Sequence, residues 1–117
     1  MSDWWQWSPI KANQKLGFAV VGIGRFGSAV CRELLRNGAD VLAVDFSEKA
    51  IEELRQLEPT IEARVVDSTD EESMKEAGVL EMGTVVVGIS EPIEASITTT
   101  LIAKDTEGSL VKQVIAR

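Results

Sequence analysis

Short apolar runs alternate along the chain with segments in which apolar residues return every three or four positions, as in βαβ units around a parallel sheet. Leu16 to Val21 is apolar at both alternating sets of positions, which predicts a strand buried on two faces. From Arg25 to Asn37, Val30, Cys31, Leu34 and Leu35 form one stripe and Arg32, Glu33 and Arg36 the opposite one. This is an amphipathic helix, and Gly38 ends it. Val41 to Val44 predicts a second strand with Asp45 at its carboxyl end. Ser47 is placed to cap the next helix, with Ala50, Ile51, Leu54 and Leu57 inward and Pro59 as its stop.

Ala63 to Val66 predicts a short third strand running into Asp67. Thr69, Asp70, Glu71 and Glu72 have the form of a capping box, with the threonine as cap of a short helix reaching Ala77. The acidic stretch from Asp67 to Glu81 reads as a capped, solvated helix rather than a metal site. Thr84 to Ile89 predicts a fourth strand. Pro92 suits the first turn of a following helix, in which Ile93, Ile97 and Leu101 recur at the spacing that packs a helix on a sheet. Beyond Gly108, Leu110 to Ala116 predicts a fifth strand, and Arg117 follows where that strand would meet a ligand, as in a piece of a longer protein. The fold class is therefore α/β: a Rossmann-type, doubly wound parallel sheet of strand order 3-2-1-4-5 in a three-layer α/β/α arrangement.

A chain of 117 residues holds one such core. It spans residues 16–117, behind an arm of residues 1–15 that carries Trp4, Trp5 and Trp7. That arm reads either as a loose terminus with indoles on the domain's own edge or as a docking segment. Composition then narrows the chemistry. A formal charge of −7 repels nucleic acid and acidic membrane surfaces, so an anionic ligand must rely on local backbone donors and a few cations. The chain has no histidine, which removes the commonest general base and metal ligand. Cys31 is the single cysteine; it lies on an inward stripe and reads as a packed, inert thiol in a reducing cytoplasm. No apolar run reaches the roughly 18 residues of a membrane span, and no signal peptide is expected.

The chemistry concentrates in Gly22-Ile23-Gly24-Arg25-Phe26-Gly27, which has the form G-x-G-x-x-G. The first glycine permits the turn, the second lets a pyrophosphate approach the backbone, and the third lets helix and strand pack closely. Helix N–H groups then receive the phosphate. Asp45 lies 23 residues after Gly22, near the roughly 20 expected for a carboxylate that binds ribose hydroxyls. A carboxylate there disfavours NADP, whose 2′-phosphate it would repel. Arg25, within the turn, and Arg117, at the fifth strand, are placed to meet phosphate oxygens. Asp67 and Ser68 fall where adenine would lie, and Gly88, Ile89 and Ser90 end the fourth strand on the same side.

Phe18 to Gly27, Val41 to Asp45, Val66-Asp-Ser-Thr-Asp70 and Ile93-Glu-Ala-Ser96 together resemble the RCK domain (regulator of K⁺ conductance), also called KTN or Trk-N. The likeness is greatest to regulatory subunits of bacterial Ktr and Trk potassium uptake systems. It implies a cytoplasmic sensor, peripheral to the inner face of the membrane, which assembles as a homodimer or larger ring beneath a potassium-conducting membrane protein and gates it on nucleotide binding. It also implies phosphate contacts from Gly22, Gly24, Arg25, Phe26 and Gly27, adenosine contacts from Asp45 and Phe46, adenine contacts from Asp67 and Ser68, and a basic contact from Arg117; Ser47, next along the chain, is a further candidate binding residue. The family's smaller carboxyl-terminal subdomain has no counterpart in these residues. The ligand is NAD/NADH or ATP/ADP, with the arginines tilting the choice toward ATP and ADP. Two other readings stand beside it: the cofactor half of an NAD-dependent oxidoreductase, and an assembly module whose glycine loop holds no ligand.

Overall fold

The structure, a computed structural model, describes residues 17–116. The tryptophan arm, Leu16 and Arg117 lie outside the described residues. Five strands, β1 (Phe18–Val21), β2 (Val41–Asp45), β3 (Glu62–Val65), β4 (Thr84–Val87) and β5 (Gln113–Ala116), form one sheet in the order β3-β2-β1-β4-β5. Every pairing is parallel: Phe18 sits opposite both Val41 and Thr84, Leu42 opposite Glu62, and Thr84 opposite Gln113. This is the doubly wound order expected from the sequence.

Among the described residues the α-helices are α1 (Arg25–Arg36), α2 (Glu48–Leu57), α3 (Glu71–Ala77) and α4 (Ile93–Asp105), with a 3₁₀ turn at Val79–Glu81. Strand alternation separates two cores. Phe18, Val20, Val41, Ala43, Ala63 and Val86 meet Cys31 and Leu34 of α1 and Ile51 and Leu54 of α2. On the other face, Ala19, Val21, Leu42, Val44, Val85 and Val87 meet Met74 of α3, Val79, Leu80 and Ala103 of α4. Strands β1 and β4 are buried at every position, which is why they read as continuous apolar runs.

Three local expectations are corrected. Leu57, placed inward by period, is exposed at the last residue of α2, while Leu54 in the same turn is buried in the core. The cap of α3 is Asp70, whose carboxylate accepts from the Ser73 N–H at 3.1 Å. Thr69 is instead spent on Asp67, to which its hydroxyl donates at 2.6 Å.

The third correction matters for function. Ile93, Ile97 and Leu101 are 66%, 53% and 53% exposed, while Thr99 and Ala103 are fully buried against the sheet. Helix α4 is apolar on more than one side, so periodicity did not decide which face turns inward. The small residues win because they let the helix axis approach the strands closely, with Ile102 packing at their flank. The large side chains are left outside, in a stripe one residue per turn.

Candidate functional site

All five strands point their carboxyl ends to one edge of the sheet, where the order reverses between β1 and β4. A cleft of about 490 Å³ opens there, within the range of small-ligand sites. Its floor is the turn after β1. Gly22 has φ +95°, and a Cβ on it would press on the backbone of Gly88 and Ile89 at 3.0 Å. Gly27 lies in the first turn of α1, where a Cβ would overlap the Gly22 carbonyl oxygen. These two glycines bring α1 against the strand crossing. Gly24 faces open space, with nothing within 4 Å of a Cβ position.

The ends of the helices divide into two kinds. Ser47 caps α2 by accepting from the Ala50 N–H at 3.1 Å, and Asp70 caps α3. Helices α1 and α4, which begin at the cleft, have no side-chain cap. Of these, α4 carries Glu94 in its first turn, whereas α1 has no acidic residue there and begins with exposed Arg25. The positive end of the α1 dipole therefore lacks a neighbouring anion on its own first turn.

Asp45 stands opposite. One carboxylate oxygen accepts from the Ile23 N–H at 2.5 Å and the other from the Ser47 N–H at 2.7 Å, so this side chain ties the glycine turn to the start of α2. A carboxylate has about four acceptor positions, which leaves Asp45 able to take hydroxyl donors from the cleft. Phe46 beside it is 76% exposed at the rim. On the β3 side, the hydroxyl and then the backbone N–H of Thr69 donate to Asp67 at 2.6 and 3.0 Å and hold its carboxyl below the usual range. A lowered value means that this turn keeps its full hydrogen-bond contribution above the ordinary carboxylate range and loses it as pH falls through the folded value.

Of the residues singled out from the sequence, Gly22, Ile23, Gly24, Asp45, Phe46, Asp67, Ser68, Gly88, Ile89 and Ser90 line the cleft. Arg25, Phe26, Gly27 and Ser47 do not line it: Gly27 and Phe26 pack beneath its floor, a ring carbon of Phe26 approaching the Gly88 Cβ position at 3.2 Å, Ser47 caps α2 beside Asp45, and Arg25 is exposed at the start of α1. Arg117 lies outside the described residues. Thr69, Glu91, Pro92 and Ala95 line the cleft without having been singled out. The Asp67 to Asp70 turn is the available signal for Thr69, and the Ile93 to Ser96 segment of the family resemblance is the signal for Ala95; Pro92 reads only as the start of a helix, and Glu91 carries no signal. Cys31 is buried away from the cleft, and desolvation pushes its thiol up to about 12, so it stays protonated and unreactive.

The TrkA-N domain family matches residues 18–117 of the chain. The Ktr system potassium uptake protein C of Bacillus subtilis is 42% identical over 91 residues, covering 78% of this chain and 40% of that protein. The chain thus spans less than half the length of this relative. Among solved structures, the TrkA-N domain of the inner membrane protein ybaL from Escherichia coli superposes with a TM-score of 0.71 at 25% identity, over 86% of this chain and 71% of that one. The NAD(P)-binding domain of an exopolyphosphatase-related protein from Archaeoglobus fulgidus gives 0.65 at 26% identity, over 76% and 65%.

Proposed function

Because the chain belongs to the TrkA-N family, we propose that its cleft holds an adenine nucleotide, ATP/ADP or NAD/NADH, and that occupancy regulates a potassium-conducting membrane protein. The observation that carries this reading is the start of α1: no cap, no first-turn acid, Gly24 open to the cleft and Arg25 beside it. The phosphates rest on that helix start with Gly22, Gly24, Arg25, Phe26 and Gly27. The ribose hydroxyls donate to Asp45, beside Phe46 and Ser47, and adenine lies toward Asp67 and Ser68. The residues Gly88, Ile89 and Ser90 close the opposite wall.

Among the described residues, the charged ones lining the cleft are Asp45, Asp67 and Glu91, all acidic. A second phosphate on the ribose would sit among them, so NADP is the disfavoured cofactor. Titration calorimetry with ATP, ADP, NADH and NADPH tests the reading. We expect binding of the first three without turnover, and NADPH at least about tenfold weaker than NADH. A preference for NADPH, or steady NADH oxidation with simple carbonyl compounds, would contradict it.

A sensor works only if its ligand favours one arrangement of the assembly over another. The Bacillus relative is a potassium uptake protein, and we read this domain as part of a regulatory subunit, cytoplasmic and docked at the membrane through its transporter. The exposed stripe Ile93, Ile97 and Leu101 of α4 is the face on which copies of the domain meet as a dimer or ring. Ile97→Lys is expected to change monomer stability by no more than about 0.5 kcal/mol while abolishing self-association in light scattering. Unfolding of this variant would contradict the outward orientation of the stripe.

A further inference from the structure

The arm that precedes the described residues holds every tryptophan of a chain that has no tyrosine. The point where it joins the fold is fixed: the Gly17 carbonyl oxygen accepts from the Gly83 N–H at 3.0 Å, and the Phe18 N–H donates to the Asp40 carbonyl oxygen at 2.9 Å. This is the amino edge of the sheet, opposite the nucleotide cleft. A second groove of about 490 Å³ opens there, and Gly17 is part of its wall. Its apolar lining is Leu35, Ala39, Val41, Ile61 and Met82. Leu35, Ala39 and Met82 are only half-buried, so apolar surface is left within reach of water. The charged residues among the described lining are Asp40, Glu62 and Glu81, all exposed and all acidic. Glu62 is paired with Arg64 at 3.5 Å, whereas Asp40 and Glu81 have no ion pair among the described residues.

The arm carries what this groove lacks. Trp4, Trp5 and Trp7 bring flat apolar surface, and Lys11 and Lys15 bring two cations between the indoles and the fold. Lys15 is two residues from Gly17, which keeps its backbone within about 7 Å of the groove wall. Trp7 is ten residues from Gly17, a reach of up to about 36 Å that allows the chain to double back over the groove. The acidic cleft at the carboxyl edge lies a full strand length from Gly17, so Lys15 meets the groove first. We propose that the groove at the amino edge is the docking site of the arm of its own chain: an indole seats against Leu35, Ala39 and Met82, and Lys11 and Lys15 pair with Asp40 and Glu81. Burial of an aromatic ring, with the Met82 sulfur beside it, supplies most of the attraction. The exposed ion pairs add little strength but select this groove over other apolar surface.

Because the arm holds all the tryptophans and the chain has no tyrosine, the intrinsic fluorescence of the intact protein reports on the arm alone. Its emission should be blue-shifted, and acrylamide should quench it severalfold less than in the chain unfolded in urea. Equal quenching in the two states would overturn the proposal. Reversing both acids, Asp40→Lys with Glu81→Lys, should weaken docking by about fivefold or more, read as quenching that rises toward the unfolded level while far-ultraviolet circular dichroism stays that of the parent. Lys11→Glu with Lys15→Glu changes the arm only, so it tests the same contact even if the groove variant does not fold, and should give the same rise. Combining the four substitutions should restore protection. Protection unchanged in the lysine variant, or a combination no better protected than either pair, would overturn the proposal. Ile97→Lys, which alters the outward stripe of α4, should keep the parent spectrum, and so should dilution. Exposure of the indoles in that variant or on dilution would place the arm on α4 or on a second copy and overturn docking within one chain.

Discussion

Gly27→Ala is expected to destabilise the domain by about 3 kcal/mol or more, at the upper end of overpacking costs, and to lower its melting midpoint by on the order of 12 °C or more. The new methyl group would overlap the carbonyl oxygen of Gly22, with the γ-carbon of Val20 at 3.6 Å behind it. Backbone cannot step aside like the end of a flexible side chain. The Gly22 amide is fixed to the Val44 carbonyl at 2.9 Å, and the Gly88 amide to the Val21 carbonyl at 2.7 Å. Relief therefore requires α1 to move off β1 and open the buried packing of Cys31 and Leu34. The loss is a large part of the roughly 5–15 kcal/mol that holds such a domain together. Thermal melting followed by circular dichroism checks it. A midpoint within about 3 °C of the parent would mean that the helix approaches the strand less closely than described.

The second large effect belongs to Asp45→Asn. The carboxylate receives two backbone N–H groups, one on each oxygen. An amide offers one acceptor oxygen, so either Ile23 or Ser47 would face an NH₂ group. Losing a charge-assisted hydrogen bond of this kind costs about 1.5–3 kcal/mol. The glycine turn is also released from α2, and the ribose loses an acceptor. We therefore expect adenine nucleotides to bind at least about tenfold more weakly. NADPH should weaken less than NADH, because the charge that opposes its extra phosphate is removed. Nucleotide affinity unchanged from the parent would instead favour a domain whose glycine loop serves assembly alone.

The sequence carried the sheet order and the glycine turn because both are written in short-range chemistry. Gly22, Gly24 and Gly27 have spacing that serves a turn, an open approach and a close packing, and the structure gives each glycine that backbone situation. Asp45 was legible from its distance along the chain, but its double hold on Ile23 and Ser47 was not, since that depends on how the β1 and β2 turns meet in space. The orientation of α4 was misread for a physical reason. Ile93, Ile97 and Leu101 outrank Ala95, Thr99 and Ala103 in hydrophobicity, yet the helix seats on its small side, and no one-dimensional period distinguishes close approach from large burial. The same reversal hid Ala95 from the list of cleft residues and hid Thr99 as the partner of Ser68. The local pattern fits Thr69 as a cap. The neighbouring Asp70 is the stronger acceptor at that position and displaced it.

The central claim is that phosphate sits at the start of α1, and backbone amide shifts measured by ¹H–¹⁵N NMR during an ADP titration test it most directly. The account predicts that the largest changes fall on Gly24 to Gly27, with smaller ones on Phe46, Ser68 and Ile89 around the cleft. The opposite edge of the sheet, at Gly17, Asp40 and Thr60, should stay unchanged. Changes centred on that far edge, or none at saturating ADP, would contradict the account.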